Sequence, residues 1–211
     1  MHIFCLLFFA FATAFCRAGD DKPATASATF GGEASPGELV ARCRRMLPAD
    51  ATLSGRIILR NRKGIVQSEY GYTLSRKSGE TDLAVVDSES KPVEFAREGN
   101  ILGTDVTWSD LTLDYLWWDD FDFDPEREGE TVHGQMCSVL RMKKGERQVR
   151  VWIDRKTGAM MQAEELAGEK PVRRLWGTRI KKFGDRWAPN VLEVETLGSG
   201  HRTKITVETL K

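Results

Sequence analysis

From residue 51 to the end, apolar and polar residues alternate at period two in short runs broken by turns. Leu53, Ile57 and Leu59 alternate with Thr52, Ser54, Arg56 and Arg60. Val149, Val151 and Ile153 alternate with Gln148, Arg150 and Asp154. This rhythm sends one row of side chains inward and the next into water, the mark of half-buried antiparallel strands. Turns at 61–64, 77–79, 143–146, 154–158, 184–185 and 198–200 separate many of these runs, which number about ten. The spacing predicts one antiparallel sandwich or barrel. Several inward positions are Trp, Met or Tyr, which suits a lined cavity as well as a dry core.

Two segments break the rhythm. The first is a helix with Ser35 as N-cap, Pro36 at its first position and Glu38 in its first turn. Leu39, Val40, Cys43, Met46 and Leu47 fall on one face, Arg42, Arg44 and Arg45 on the flanks, and Pro48 ends it. The second is the aromatic-rich stretch 103–120, which holds Trp108, Leu111, Tyr115, Trp117 and Trp118. A short apolar helix inside strand sequence reads as a lid or plug over an apolar concavity. For any one tryptophan, including Trp152, Trp176 and Trp187, core packing is the default. The adjacent pair Trp117-Trp118 is different, because consecutive residues face different ways. A cavity on one side and a covering element on the other would accommodate both.

The apolar run 3–15 is too short to span a bilayer and has the length of a signal-peptide core, although no Lys or Arg precedes it. Cleavage sites are available at Ala12-Thr13-Ala14 and Cys16-Arg17-Ala18. The division expected is a signal peptide over 1–18, a small-residue leader over 19–34 and one domain over 35–211, exported to the periplasm as a monomer. A lipid anchor at Cys16 is the alternative, disfavoured by the bulky Phe15 before it. Removing 1–18 takes away Arg17 and no acid, leaving one basic residue fewer than the 31 acids. That balance gives no electrostatic case for nucleic acid or for an anionic membrane surface. Cys5 and Cys16 fall in the signal, so Cys43 and Cys137 form either a disulfide or two small buried hydrophobes.

Motifs for chemistry are missing. His2 falls in the signal; neither His133 nor His201 has a second ligand at metal-binding spacing, and no nucleophile elbow, phosphate loop or dinucleotide turn occurs. His133 and Cys137 would share a strand face yet stand roughly 13 Å apart, beyond hydrogen-bond reach. The acidic run Asp119, Asp120, Asp122, Asp124, Glu126, Glu128 and Glu130 lacks the glycine and terminal glutamate of a calcium loop. It reads as a solvated strand face with Phe121 and Phe123 pointing inward, or as an acidic docking face for a basic partner. No catalytic residue, metal or cofactor is expected.

The stretch Gly103-Thr104-Asp105-Val106-Thr107-Trp108-Ser109-Asp110-Leu111 resembles the Gly-Ser/Thr-Asp-aromatic-Ser-Tyr-Glu-Asp-Leu motif of the LolA/LolB-like outer-membrane lipoprotein-sorting protein family. In that motif Ser/Thr and Asp cap a short helix, a role open here to Thr107 or Ser109 with Asp110. The succession 132–140, 149–154, Lys156-Thr157-Gly158 and the strand with Glu164-Glu165 also resembles the family's central sheet. The similarity runs from roughly 35 to 211, with Val106 where the family has an aromatic. It implies a mainly β, α+β fold: an unclosed, highly curved antiparallel half-barrel with covering helices. It implies a carrier that takes acyl chains of lipoproteins or lipids into an apolar concave cavity, without covalent chemistry. The residues expected at that cavity and its lid are Leu39, Met46, Leu47, Tyr70, Tyr72, Trp108, Leu111, Tyr115, Trp117, Trp118, Trp152 and Trp176. The arginine that would hold the lid does not stand out among many strand arginines. The alternative is a non-transporting envelope scaffold or sensor that uses the same half-barrel to bind a protein partner.

Overall fold

The computed structural model describes residues 34–47, 50–78, 80–184 and 186–211. The expected signal peptide, nearly all of the leader, the anchor candidate Cys16, and Pro48 lie outside the described residues. The side chain of Trp187 does too.

Helix α1 (Pro36–Met46) starts as its sequence requires. The Glu38 amide donates to Ser35 Oγ at 3.3 Å, and the Ser35 amide donates to the Glu38 carboxylate at 2.8 Å. This reciprocal cap is worth about 1 kcal/mol. Leu39, Val40 and Cys43 are buried. Met46 is not: the chain turns extended at Leu47, whose side chain packs on the core and leaves Met46 47 % exposed.

Among the described residues eleven strands follow: β1 (Ala51–Asn61), β2 (Val66–Lys77), β3 (Glu80–Val86), β4 (Asp120–Phe123), β5 (Glu130–Val132), β6 (Gln135–Lys144), β7 (Arg147–Asp154), β8 (Met160–Ala167), β9 (Lys170–Phe183), β10 (Arg186–Thr196) and β11 (His201–Leu210). They form one antiparallel sheet in the order β3-β2-β1-β11-β10-β9-β8-β7-β6-β4, with β5 also on β6. The chain returns at its end to pair β11 with β1, while β3 and β4 remain edges, so the barrel is unclosed. Register shifts in β1, β7, β8 and β10 mark bulges, which bend a strand and increase its twist. At the bulge in β1 only glycine fits, since a Cβ on Gly55 would lie 1.7 Å from the Thr206 carbonyl oxygen.

Ile57, Tyr72, Leu74, Leu140, Val149, Val151, Ile153 and Leu175 belong to the main core, on the concave face under α1. The alternate row belongs to the convex face. There Cys137, Val139, Trp152 and Met161 form a separate cluster. This corrects the disulfide expectation: Cys43 lies in the concave core and Cys137 in the convex cluster, so the sheet stands between them, and among the described residues both thiols are free. Burial pushes each thiol up to about 11, which makes both poor nucleophiles at neutral pH.

Candidate functional site

Between β3 and β4 the chain crosses the concave face as an insert with three short turns of helix. They are a 3-10 turn (Ile101–Gly103), α2 (Trp108–Thr112) and a second 3-10 turn (Asp114–Trp117). Ile101, Val106 and Leu116 are completely buried in the main core. Leu102 and Leu113 hold left-handed φ values of 51° and 53°, a conformation that costs a branched residue roughly 1 kcal/mol or more. Leu113 sits at the junction between α2 and the second 3-10 turn.

Polar groups fix the first half of the insert. The Thr104 hydroxyl donates to the Ile101 carbonyl at 2.7 Å and accepts from the Val106 amide at 3.2 Å. Asp105 docks on the ends of β10 and β11. Its carboxylate accepts from the Thr203 hydroxyl at 2.9 Å and the Thr196 amide at 3.3 Å, and its amide donates to Thr203 Oγ1 at 2.9 Å. Of the two capping residues open in the sequence, Thr107 is the one used. Its amide and hydroxyl donate to the Asp110 carboxylate at 2.7 and 2.9 Å.

Arginines then clasp the insert from around the rim. Arg173 on β9 pairs with Asp110 and donates to the Asp105 carbonyl at 2.6 Å and to Glu165 at 2.8 Å. Burial pushes the Asp110 carboxyl above the usual range, against the opposing pull of Arg173 and Thr107. Arg76 on β2 donates to the Thr112 carbonyl at 2.5 Å and stacks 4.9 Å over Trp117. Arg44 on α1 donates to the carbonyls of Leu116 at 2.6 Å and Trp118 at 3.3 Å. Arg147 on β7 donates to Ser109 Oγ at 2.8 Å and lies 5.0 Å over Trp118. Arg76 and Arg44 thereby supply partners for carbonyls at helix ends that the short turns leave without one.

Eight of the expected residues are brought together. Leu39, Tyr72, Tyr115 and Trp118 are in the buried core, and Leu47, Tyr70, Trp108 and Leu111 pack against it. The Tyr115 hydroxyl donates to Met160 Sδ at 3.4 Å, and its ring meets Trp118 edge-on at 6.4 Å. Four are not. Met46 and Trp117 lie at the surface, Trp117 being 44 % exposed under Arg76. Trp152 and Trp176 stand on the convex face. Trp152 donates from Nε1 to Glu130 at 2.8 Å, and Trp176 packs under Arg202 at 5.1 Å.

Space beneath the insert is small. About 20 Å³ remains beside Ser109, Asp110, Tyr115 and Arg147, room for one water. The hollow implied by the resemblance is thus filled by the chain's own Val106, Tyr115, Leu116 and Trp118.

The acidic run does not form one solvated face. Asp124 is buried on the convex side, where it accepts from Arg150 at 2.7 Å and Arg141 at 3.0 Å. Burial alone would raise its carboxyl, but these arginine donors hold it below the usual range. Phe121 packs on the concave core as expected; Phe123 does not and is 40 % exposed.

An eleven-strand unclosed sheet with helices on its concave face defines a LolA-like fold. Solved structures agree. A LolA superfamily protein from Nitrosomonas europaea superposes with a TM-score of 0.64 at 12% identity, covering 84% of this chain and 93% of that one. A DUF1329 family protein from Desulfovibrio piger gives 0.60 at 17% identity, over 82% and 90%. A domain from Vibrio parahaemolyticus described as an outer membrane lipoprotein-sorting protein gives 0.58 at 15%, over 83% and 89%. At these identities the similarity carries the fold. A family model described as "Uncharacterized protein" matches residues 78–211, and the chain belongs to that family. No curated protein matches the chain in sequence.

Proposed function

We propose that this protein is an exported periplasmic carrier that binds acyl chains of lipids or lipoproteins on its concave face. In this reading the structure is the closed state, with the insert occupying the place of the cargo. The observation that carries it is the way the insert is held: apolar side chains on an apolar face, secured at the rim by guanidinium clasps. Burying a methylene is worth about 0.8 kcal/mol, so an acyl chain can replace the insert's apolar contacts. The Arg44 and Arg76 clasps lie at the rim, where they can exchange their carbonyl partners for water. Binding of this kind requires no covalent chemistry.

Native mass spectrometry of the protein purified from envelope fractions is expected to show acyl-bearing species. Fluorescent fatty acids are expected to bind saturably to the full chain. Absence of both, in the wild type and in a variant with Arg44 and Arg76 replaced by Met, would refute the carrier reading.

One observation favours the alternative, a scaffold or sensor that binds a protein partner: the concavity is filled by the chain's own side chains. The acidic run supports it less, because Asp124 is internally paired. A pull-down should therefore reverse the exposed Asp120 and Asp122 and leave the buried Asp124 intact. Loss of a specific partner on that reversal, with no lipid uptake by any variant, would establish the alternative.

A further inference from the structure

The β9–β10 hairpin runs past both of its neighbours. Pairing of β8 with β9 stops at Trp176, and pairing of β11 with β10 starts at Val191. Strand residues from Gly177 to Pro189 therefore pair within the hairpin, which projects as a two-stranded arm.

The arm concentrates charge that the whole chain conceals. Residues 177–190 contain Arg179, Lys181, Lys182 and Arg186 against the single acid Asp185, in a chain of formal net charge zero. Thr178, Arg179, Lys181 and Lys182 are exposed. Among the described residues no carboxylate pairs with Arg179, Lys181 or Lys182. By contrast, the exposed Arg56 of β1 is neutralised by Glu69 and Glu208, and Arg202 of β11 by Glu193 and Glu195. Near the tip, Lys181 Nζ lies 5.2 Å over the ring of Phe183, which is half-buried. Unneutralised like charges on a narrow ribbon repel one another unless an anionic partner faces them.

Two kinds of polyanion fit the charge, and the aromatic chemistry separates them. A single-stranded nucleic acid needs an open ring on which a base can stack; among the described side chains of the arm the aromatic is Phe183, and Lys181 covers it. Long cationic side chains beside an aromatic suit a bilayer interface, where aliphatic stems and ring lie at headgroup depth and the charged heads reach phosphate. We propose that the arm 177–190 docks the protein onto an anionic phospholipid surface. Near neutrality of the whole chain argued against such a surface only because it averaged this arm with the rest.

The docking does not depend on the concave face taking an acyl chain, since no residue of the arm belongs to the insert or its clasps. Each Lys or Arg near an anionic leaflet contributes roughly fivefold in partitioning, so removing three is expected to cost about a hundredfold at low salt. The test is co-sedimentation of the full chain with phosphatidylcholine vesicles, with and without phosphatidylglycerol. Wild type is compared with the variant Arg179→Gln, Lys181→Gln, Lys182→Gln. These side chains are exposed, so the thermal midpoint is expected to stay unchanged; any shift is measured and the comparison repeated with Lys182→Gln alone. Wild type is expected to bind the phosphatidylglycerol vesicles, to lose binding as salt rises, and to exceed the triple variant by about two orders of magnitude. The inference is overturned by equal binding of both chains, by equal binding to both vesicle types, or by a single-stranded oligonucleotide that outcompetes the anionic vesicles. Fluorescent fatty-acid uptake by the triple variant is expected to match wild type, so docking and cargo binding fail separately.

Discussion

Arg173 shows how much one side chain on an inward row can hold. It joins Asp110 and the Asp105 carbonyl of the insert to Glu165 of the neighbouring strand, in a buried setting. Replacing it with Met strands a buried carboxylate, a class of change that costs about 3 kcal/mol or more. The expected result is a large fall in denaturation midpoint for Arg173→Met, partly restored by adding Asp110→Asn. On the convex face, Asp124 predicts the acid response. Its folded carboxyl is held below the ordinary value near 3.8, so its contribution is present above about pH 4 and is lost as pH falls through the folded value. Denaturation followed between pH 7 and pH 2 should show stability dropping below about pH 4. Asp124→Asn should flatten that slope while costing about 3 kcal/mol at pH 7, because Arg141 and Arg150 lose their shared partner. His133 makes a smaller case. It is exposed in the tight turn between β5 and β6 at φ 50°, beside Gly134 at 79°. Asn tolerates that conformation better, so His133→Asn should stabilise by roughly 0.5–1 kcal/mol.

For the elements, the proposed carrier function requires the insert to leave the sheet. The insert has only short helical turns, two leucines in left-handed backbone, and contacts to the sheet that are apolar beneath and guanidinium-to-carbonyl at the rim. Strands β6, β7 and β8 are instead paired on both edges and covered on both faces. Hydrogen exchange is expected to be faster in 107–118 than in 139–153. Arg76→Met should speed the former several-fold and leave the latter unchanged, which places the loss at the clasp. How legible these elements were depends on what alternation can express. It named the inward rows correctly and set Trp152 beside Arg150 and Asp154, the convex row where it lies. An expectation based on aromatic type alone pulled Trp152 and Trp176 to the wrong face. The clasping arginines were also present in the pattern. Arg76 extends the row Tyr72, Leu74; Arg147 leads into Val149, Val151; Arg173 leads into Leu175. A cation at the end of an apolar inward row is the signal that would have found them. Arg44 had no such signal, because its partners are backbone carbonyls 72 and 74 residues away.

For the whole molecule, period-two runs, turn spacing and one capped helix, all local properties of the chain, predict an antiparallel sandwich or barrel; that it is an unclosed half-barrel was implied only by the resemblance carried by 103–111. Whether the concave face is open or filled was not local. It depends on the insert folding back across the sheet, and Asp105 meeting Thr203 from 98 residues away is the kind of contact that no periodicity encodes. In the proposed carrier function, the chain's own insert and an acyl chain share this apolar face in alternation. Hydrogen exchange of the insert with and without a long-chain fatty acid, on the full chain, tests that sharing most directly. Saturating fatty acid is expected to deprotect 101–118 while the strands 139–153 stay protected. Fatty acid that binds without changing exchange in the insert, or does not bind at all, would contradict the sharing.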